Sequence, residues 1–461
     1  MVTGRKGNRR GGLTAAAALA TLTLLGGCAG AGNAPSSGAP AEFSAAEQSA
    51  EQPAEQPAEQ PAEQPADQFA EQPDDSSPNA ADVREPATKG TGAPPPVDAD
   101  EQFVTDTLAS WTLEQTVASL VMITHPGTDP AAARSVLEAH GFGGFLVMGA
   151  NTGGPLEVTT AFTAGLSADP LLPVLTAVDQ EGGDVRRLPG DAGPAGRALH
   201  GADPATVERA FADRSALVDA AGIAINFGVV ADVTADPAAF IHRRVLDTTP
   251  SAAAERVAAA VRGEGERTLT TLKHFPGHGA SPDDSHVSIP RSGIALDEWR
   301  ATHARPFAAG IDAGAELVMT GHLQFDAVSP YPASLSPTWM RVLRSELGFD
   351  GVIVTDDLVM LQRSGWPELA DPHENAVRAL AAGNDLLLFV VPADPAAVGL
   401  DPARLVTRLA DAVRAGEVDA DQLAQSARRV LELRRELSAV PAPSCGPACE
   451  RESVRAHWRD R

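Results

Sequence analysis

The stretch LKHFPGHGASPDDSHVSIP, Leu272 to Pro290, gathers three histidines and two adjacent aspartates around Pro–Gly turns. Two chemistries would use such a set. A metal centre would pair His274 with His278 at i, i+4, aided by Asp284 and His286, and that spacing forms one ligand face only on a helix. Pro276 and Gly277 lie between the two histidines and oppose a helix. No His-Glu pair of the metallopeptidase type is present either, so no metal is expected. Proton transfer fits the residues better. In Asp284-Ser285-His286 a carboxylate stands two residues from an imidazole, and on extended backbone both side chains share a face. A carboxylate bonded to one ring nitrogen fixes the tautomer and favours the imidazolium, which can donate a proton near neutral pH. The bland alternative is a surface histidine in a polar loop. Gly277, Gly279 and Pro282 would let the loop move over a bound ligand.

Other apolar runs also end in titratable residues. AVDQEGG puts Asp179 just past one run, LKHFPGHG puts Lys273 and His274 at the end of another, VMTGH puts His322 past a third, and VIVTDD ends a fourth in Asp356 and Asp357. An aspartate after a strand is often only the N-cap of the next helix. Four such clusters on one face are harder to dismiss, because a (β/α)8 barrel builds its active site where strands end and βα loops begin. The elements that would position them are eight candidate strands: Ser119–Thr124, Gly143–Met148, Pro173–Val178, Gly222–Val230, Thr270–Lys273, Glu316–Thr320, Gly351–Thr355 and Asp385–Val390. Most are near-continuous apolar runs, as parallel strands covered on both faces require. Helix-like segments such as Asp203–Ala220, Ala252–Arg267, Leu296–Ala313 and Thr338–Leu347 lie between them, and residues 401–437 read as two more helices. The expected fold is α/β, a single (β/α)8 TIM-type barrel. A doubly wound open sheet competes, but no Gly-rich phosphate loop follows the first strand.

The net charge of −25 argues against nucleic acid or an anionic membrane surface as a partner, and a single Tyr argues against a base-stacking platform. Part of that charge belongs to a tail. Arg5, Lys6, Arg9 and Arg10 precede an apolar run from Leu13 to Leu25, too short to favour a membrane span, which ends in Leu25-Gly26-Gly27-Cys28. This layout resembles a bacterial lipoprotein signal over residues 1–28, and the resemblance implies that Cys28 is lipidated. Residues 29–100 carry EQPA repeats and Pro-, Asp- and Ser-rich sequence that cannot bury enough apolar surface to order itself, so an extended spacer is expected. The barrel domain is assigned to 101–440 and a polar tail to 441–461, where Cys445 and Cys449 could close a small disulfide loop outside the cytoplasm. The implied location is extracytoplasmic, with the lipid anchor as the sole membrane contact.

KHFPGHG followed by DSH, together with AVDQEGG and VTDD, resembles glycoside hydrolase family 3, in particular its single-domain β-N-acetylglucosaminidases of the NagZ type. VLRSELGFDGVIVTD, Val342–Asp356, follows the family's nucleophile signature, and the likeness spans about Thr112 to Leu437. The resemblance implies that Asp356 is the nucleophile, that His286 is the general acid/base with Asp284 as its dyad partner, and that Asp179, Arg187, Arg244, Lys273 and His274 line the sugar pocket. It implies no cofactor, a carbohydrate substrate containing N-acetylglucosamine, derived from peptidoglycan, and a monomeric enzyme. Several positions depart from the pattern. Asp184 replaces the usual Arg of DQEGGR, Val229 stands where Pro is common, His242 and Arg243 replace a Gly and a small polar residue, and Val359 replaces a small or polar residue. Alternatives are a phosphorylase of the same fold, since a neutral acid/base repels phosphate less than a carboxylate, a β-glucosidase, and a noncatalytic sugar-binding lipoprotein.

Overall fold

Eight short apolar runs pair side by side in parallel register. In the computed structural model, which describes residues 98–440 apart from position 266, they are β1 Val121–Ile123, β2 Gly144–Val147, β3 Leu175–Val178, β4 Ile225–Val230, β5 Leu269–Phe275, β6 Leu317–Thr320, β7 Val352–Thr355 and β8 Leu387–Phe389. The hydrogen-bonded order is β8-β1-β2-β3-β4-β5-β6-β7. A parallel bridge between Val354 and Leu386 brings the two end strands together, and the Thr355 amide donates to the Leu386 carbonyl at 3.0 Å. The result is a nearly closed (β/α)8 barrel of the TIM type. Every one of these strand residues is buried, which is why the runs are mostly apolar on both faces.

The crossover helices start on strong stop-and-cap signals. Asp203, Thr249, Asp371 and Asp401 each accept a backbone N–H from the first turn of a helix whose first residue is proline. Proline costs nothing there because the first-turn N–H groups have no intrahelical partner. The two helices expected over 401–437 are Pro402–Arg414 and Ala420–Glu436.

The structure corrects several boundaries. The folded chain starts before 101: Asp98 caps a helix over Ala99–Ser110, and Arg435 grips Asp100 at 2.6 Å. The fifth strand does not stop at Lys273 but continues through His274 to Phe275. The fourth begins at Ile225, because Gly222 turns the chain with φ +70° before it. The expected helix Leu296–Ala313 is two helices, Leu296–Ala301 and Ala304–Asp312. They break where the Thr302 hydroxyl donates to the Glu298 carbonyl at 2.6 Å. The segment after Pro337–Arg341 widens into a π-turn over Val342–Glu346. Asp385 lies outside β8; its buried carboxylate instead receives Arg344, Arg429, Ser426 and the Ile353 amide.

Below the loop that follows β5 sits an aromatic cluster. Phe275 meets Trp299, Phe307 and Trp339 edge-on at 5.4–5.9 Å, and the Trp299 indole donates to the Pro276 carbonyl at 2.7 Å. Beyond the loop, Arg291–Ser292 pairs in parallel with Gln324–Phe325. Both ends of the loop are therefore held. The expected signal segment with Cys28, the expected spacer up to residue 97, and the tail with Cys445 and Cys449 lie outside the described residues. No described helix is long and apolar enough to cross a membrane.

Candidate active site

The ends of β3, β4 and β5 deliver a closely packed set of charges. Lys273, 2% exposed in its side chain, reaches Asp179 at 2.8 Å and Glu181 at 2.7 Å. Arg244 grips Glu181 with two parallel bonds, 2.9 Å from Nε and 2.6 Å from Nη2. Burial alone would push the Glu181 carboxyl up, but Arg244 and Lys273 outweigh it and hold the group down at about 2. Arg187 approaches Asp179 at 3.7 Å. Its loop is folded by Gln180, whose side-chain oxygen accepts the amides of Arg187 at 2.8 Å and Leu188 at 2.9 Å.

His274 is oriented from behind. Asp232, fully buried two residues past β4, accepts its Nδ1 at 2.8 Å and its amide at 3.2 Å. The opposite nitrogen, Nε2, faces Arg244 Nη2 at 3.4 Å. Burial would raise the Asp232 carboxyl, but His274 and His278 keep it below its ordinary range.

Asp356 and Asp357 end β7, and their environments split them. The Asp356 amide donates to the Thr320 carbonyl at 2.9 Å, which fixes the residue at the rim. Burial raises its carboxyl, yet His274, His322 and the Asp357 amide prevail and keep it ionised at neutral pH. The Asp357 carboxyl instead accepts the amides of Val359 at 3.0 Å and Val390 at 2.9 Å, stitching β7 to β8. Burial is the main cause that pushes it up to about 7. His322 is locked between the Ser334 hydroxyl at 2.7 Å and the Asp357 carbonyl at 2.8 Å; Nε2 donates to the carbonyl, so Nδ1 accepts from the hydroxyl.

On the loop after β5, Asp284 Oδ1 accepts both His286 Nδ1 at 2.7 Å and the His286 amide at 2.9 Å. The i, i+2 pairing expected from DSH is therefore formed. Burial works against the Asp284 carboxylate, but the His286 bonds hold it below its ordinary range. The dyad is open, with the His286 side chain 53% exposed and Asp284 34%. Burial lowers the His322 imidazole, and the neighbouring Asp356 carboxylate works against that. No three His, Cys, Asp or Glu side chains among the described residues converge as a metal site.

Residues 112–433 match the profile of the glycosyl hydrolase family 3 N-terminal domain. The chain belongs to glycoside hydrolase family 3. It is 36% identical over 292 residues to a beta-hexosaminidase of Stenotrophomonas maltophilia, covering 59% of this chain and 84% of the relative. To the beta-hexosaminidase of Pseudomonas aeruginosa it is 35% identical over 264 residues, 56% of this chain and 77% of that one. Among solved structures it is similar to a family 3 β-N-acetylglucosaminidase from Paenibacillus, with TM-score 0.66, 29% identity, and 76% and 68% of the two chains covered. It is also similar to M tuberculosis LpqI, with TM-score 0.63, 28% identity, and 74% and 98% covered. The enzyme is a glycosidase, a beta-hexosaminidase of family 3.

The barrel links Asp179, Arg187, Arg244, Lys273 and His274 in one network of ion pairs and polar contacts through Glu181. Sequence reasoning passed over Glu181 and Asp232, which tie that network together. Glu181 sits inside the DQEGG stretch, and Asp232 follows an apolar strand as Asp179 does, so the signal was the same. Two departures from the family pattern prove to be partners: Asp184 and Arg243 pair across the rim at 2.8 Å.

Proposed function

We propose that this enzyme removes terminal β-linked N-acetylglucosamine from peptidoglycan-derived glycans with retention, through a covalent glycosyl-enzyme on Asp356. Asp356 attacks the anomeric carbon from within the barrel as His286 gives its proton to the departing glycosidic oxygen. Asp284 holds Nδ1 and steadies the imidazolium. Water then enters where the leaving group stood, His286 takes its proton, and the sugar is released from Asp356. Asp179, Arg187, Arg244, Lys273 and His274 grip the hydroxyls of the terminal sugar. Their mutual ion pairs set donors and acceptors in place before substrate arrives.

The observation that carries this reading is the pairing of opposite environments: a buried, ionised Asp356 fixed at the end of β7 and an open, carboxylate-backed His286 on the loop after β5. The test is release of the chromophore from an aryl N-acetyl-β-glucosaminide, with and without phosphate. Hydrolysis that ignores phosphate and disappears in Asp356→Ala supports the proposal. Phosphate-dependent formation of a sugar 1-phosphate, or an Asp356→Ala variant that keeps its activity, contradicts it. Export and a lipid anchor at Cys28 belong to the same proposal, and the mass of the mature N-terminal peptide tests them.

A further inference from the structure

Among the described residues, 284–288 reach beyond themselves through one side-chain hydrogen bond. The bonds of Asp284, His286, Val287 and Ser288 all stay within that stretch, and the Asp283 amide turns back to the Ser281 hydroxyl at 3.4 Å in the same loop. The exception is Ser285, buried between the two dyad residues, whose hydroxyl meets His278 Nε2 at 3.1 Å. His278 is 1% exposed, and its amide donates to Asp232, the carboxylate that also orients His274. Phe240 completes the seat. Its amide donates to the Pro282 carbonyl at 3.1 Å. Its ring lies 5.6 Å from His278, 5.5 Å from His286 and 5.8 Å from the Arg244 guanidinium. Pocket and loop thus share one buried support.

We infer that His278, acting through Ser285 and Phe240, is the positioning residue that seats the His286–Asp284 dyad and couples it to the sugar-binding side chains. The inference rests on the reading of His286 as acid/base. Burial lowers the His278 imidazole to about 4, so it is neutral under working conditions and offers Ser285 a single, fixed partner. Unlike a residue that merely supports the fold, a residue that seats the proton donor matters most when the leaving group needs the proton.

The experiment measures kcat/KM for N-acetyl-β-glucosaminides with leaving groups from an activated nitrophenol to a simple alcohol, on the full chain. His286→Ala sets the reference: little loss on the activated substrate and a loss of roughly a hundredfold or more on the poor ones. His278→Ala is expected to reproduce that slope, Ser285→Ala to show part of it, and His278→Gln, whose amide can still hydrogen-bond the Ser285 hydroxyl in either direction, to regain most of the activity. Should His278→Ala not fold, Ser285→Ala carries the test, because it removes only a hydroxyl. A steep series for His286→Ala beside uniform or absent losses in His278→Ala and Ser285→Ala overturns the tether. A flat series for His286→Ala itself overturns the acid/base reading, and the tether with it.

Discussion

Replacing Glu181 by Gln keeps the side chain's shape and removes its charge. In the wild type that carboxylate receives Arg244 at 2.9 and 2.6 Å and Lys273 at 2.7 Å, and the three side chains are almost wholly buried. Its carboxyl falls from 4.5 to about 2 on folding, since the two cations outweigh the effect of burial. At about 1.4 kcal/mol for each unit, the ionised form contributes roughly 3 kcal/mol to stability. The cost of breaking a buried pair, about 3–5 kcal/mol, agrees. A depressed carboxyl stabilises above its unfolded value and loses that stabilisation as pH falls toward its folded value. The wild type should therefore exceed Glu181→Gln by about 3 kcal/mol near pH 7, and by only about 1.4 kcal/mol near pH 3. Urea unfolding at the two pH values reads the difference directly. With Arg244 and Lys273 released from their partner, KM should rise as well. A difference below about 1 kcal/mol near pH 7, or one unchanged near pH 3, refutes the reasoning.

Three further outcomes follow from the same geometry. Glu264 is buried, bonded to Asn226 at 2.6 Å, and raised by burial to about 8, so its ionisation opposes the fold as pH rises from 4.5 toward 8. Glu264→Gln should be more stable near pH 7 by up to about 3 kcal/mol and lose that advantage toward pH 4.5, as followed by chemical denaturation. Arg243→Ala breaks an exposed rim pair, so its free energy of unfolding should change by less than about 1 kcal/mol, and any change should appear in KM instead. Asp357→Ala strands the Val359 and Val390 amides and should cost about 2 kcal/mol or more in thermal or chemical unfolding.

Much of this was legible in the sequence, for physical reasons that differ by element. The barrel strands are buried on both faces, so Val352–Val354 announces itself as an unbroken apolar run, and titratable residues follow at the strand's end. The dyad was legible because Asp284 and His286 interact across two residues. Contacts between distant residues were not. Nothing in the local pattern of Asp232 tells that it will accept His274, 42 residues later, or that His278 will take Ser285 as its partner rather than a metal. The Thr302 break was missed because a helix-like composition hides a side chain that competes for the helix's own carbonyl. The charge exchange at the rim was visible only as two separate anomalies, Asp184 and Arg243, until the fold set them side by side.

The central claim, that Asp356 forms the bond to the sugar, is tested most directly by trapping. The enzyme is inactivated with a slow N-acetylglucosamine-type reagent bearing a good leaving group, digested, and the labelled peptide sequenced by mass spectrometry. The account predicts one sugar per chain on Asp356. A sugar on Asp357, on any other residue, or on none despite turnover contradicts it.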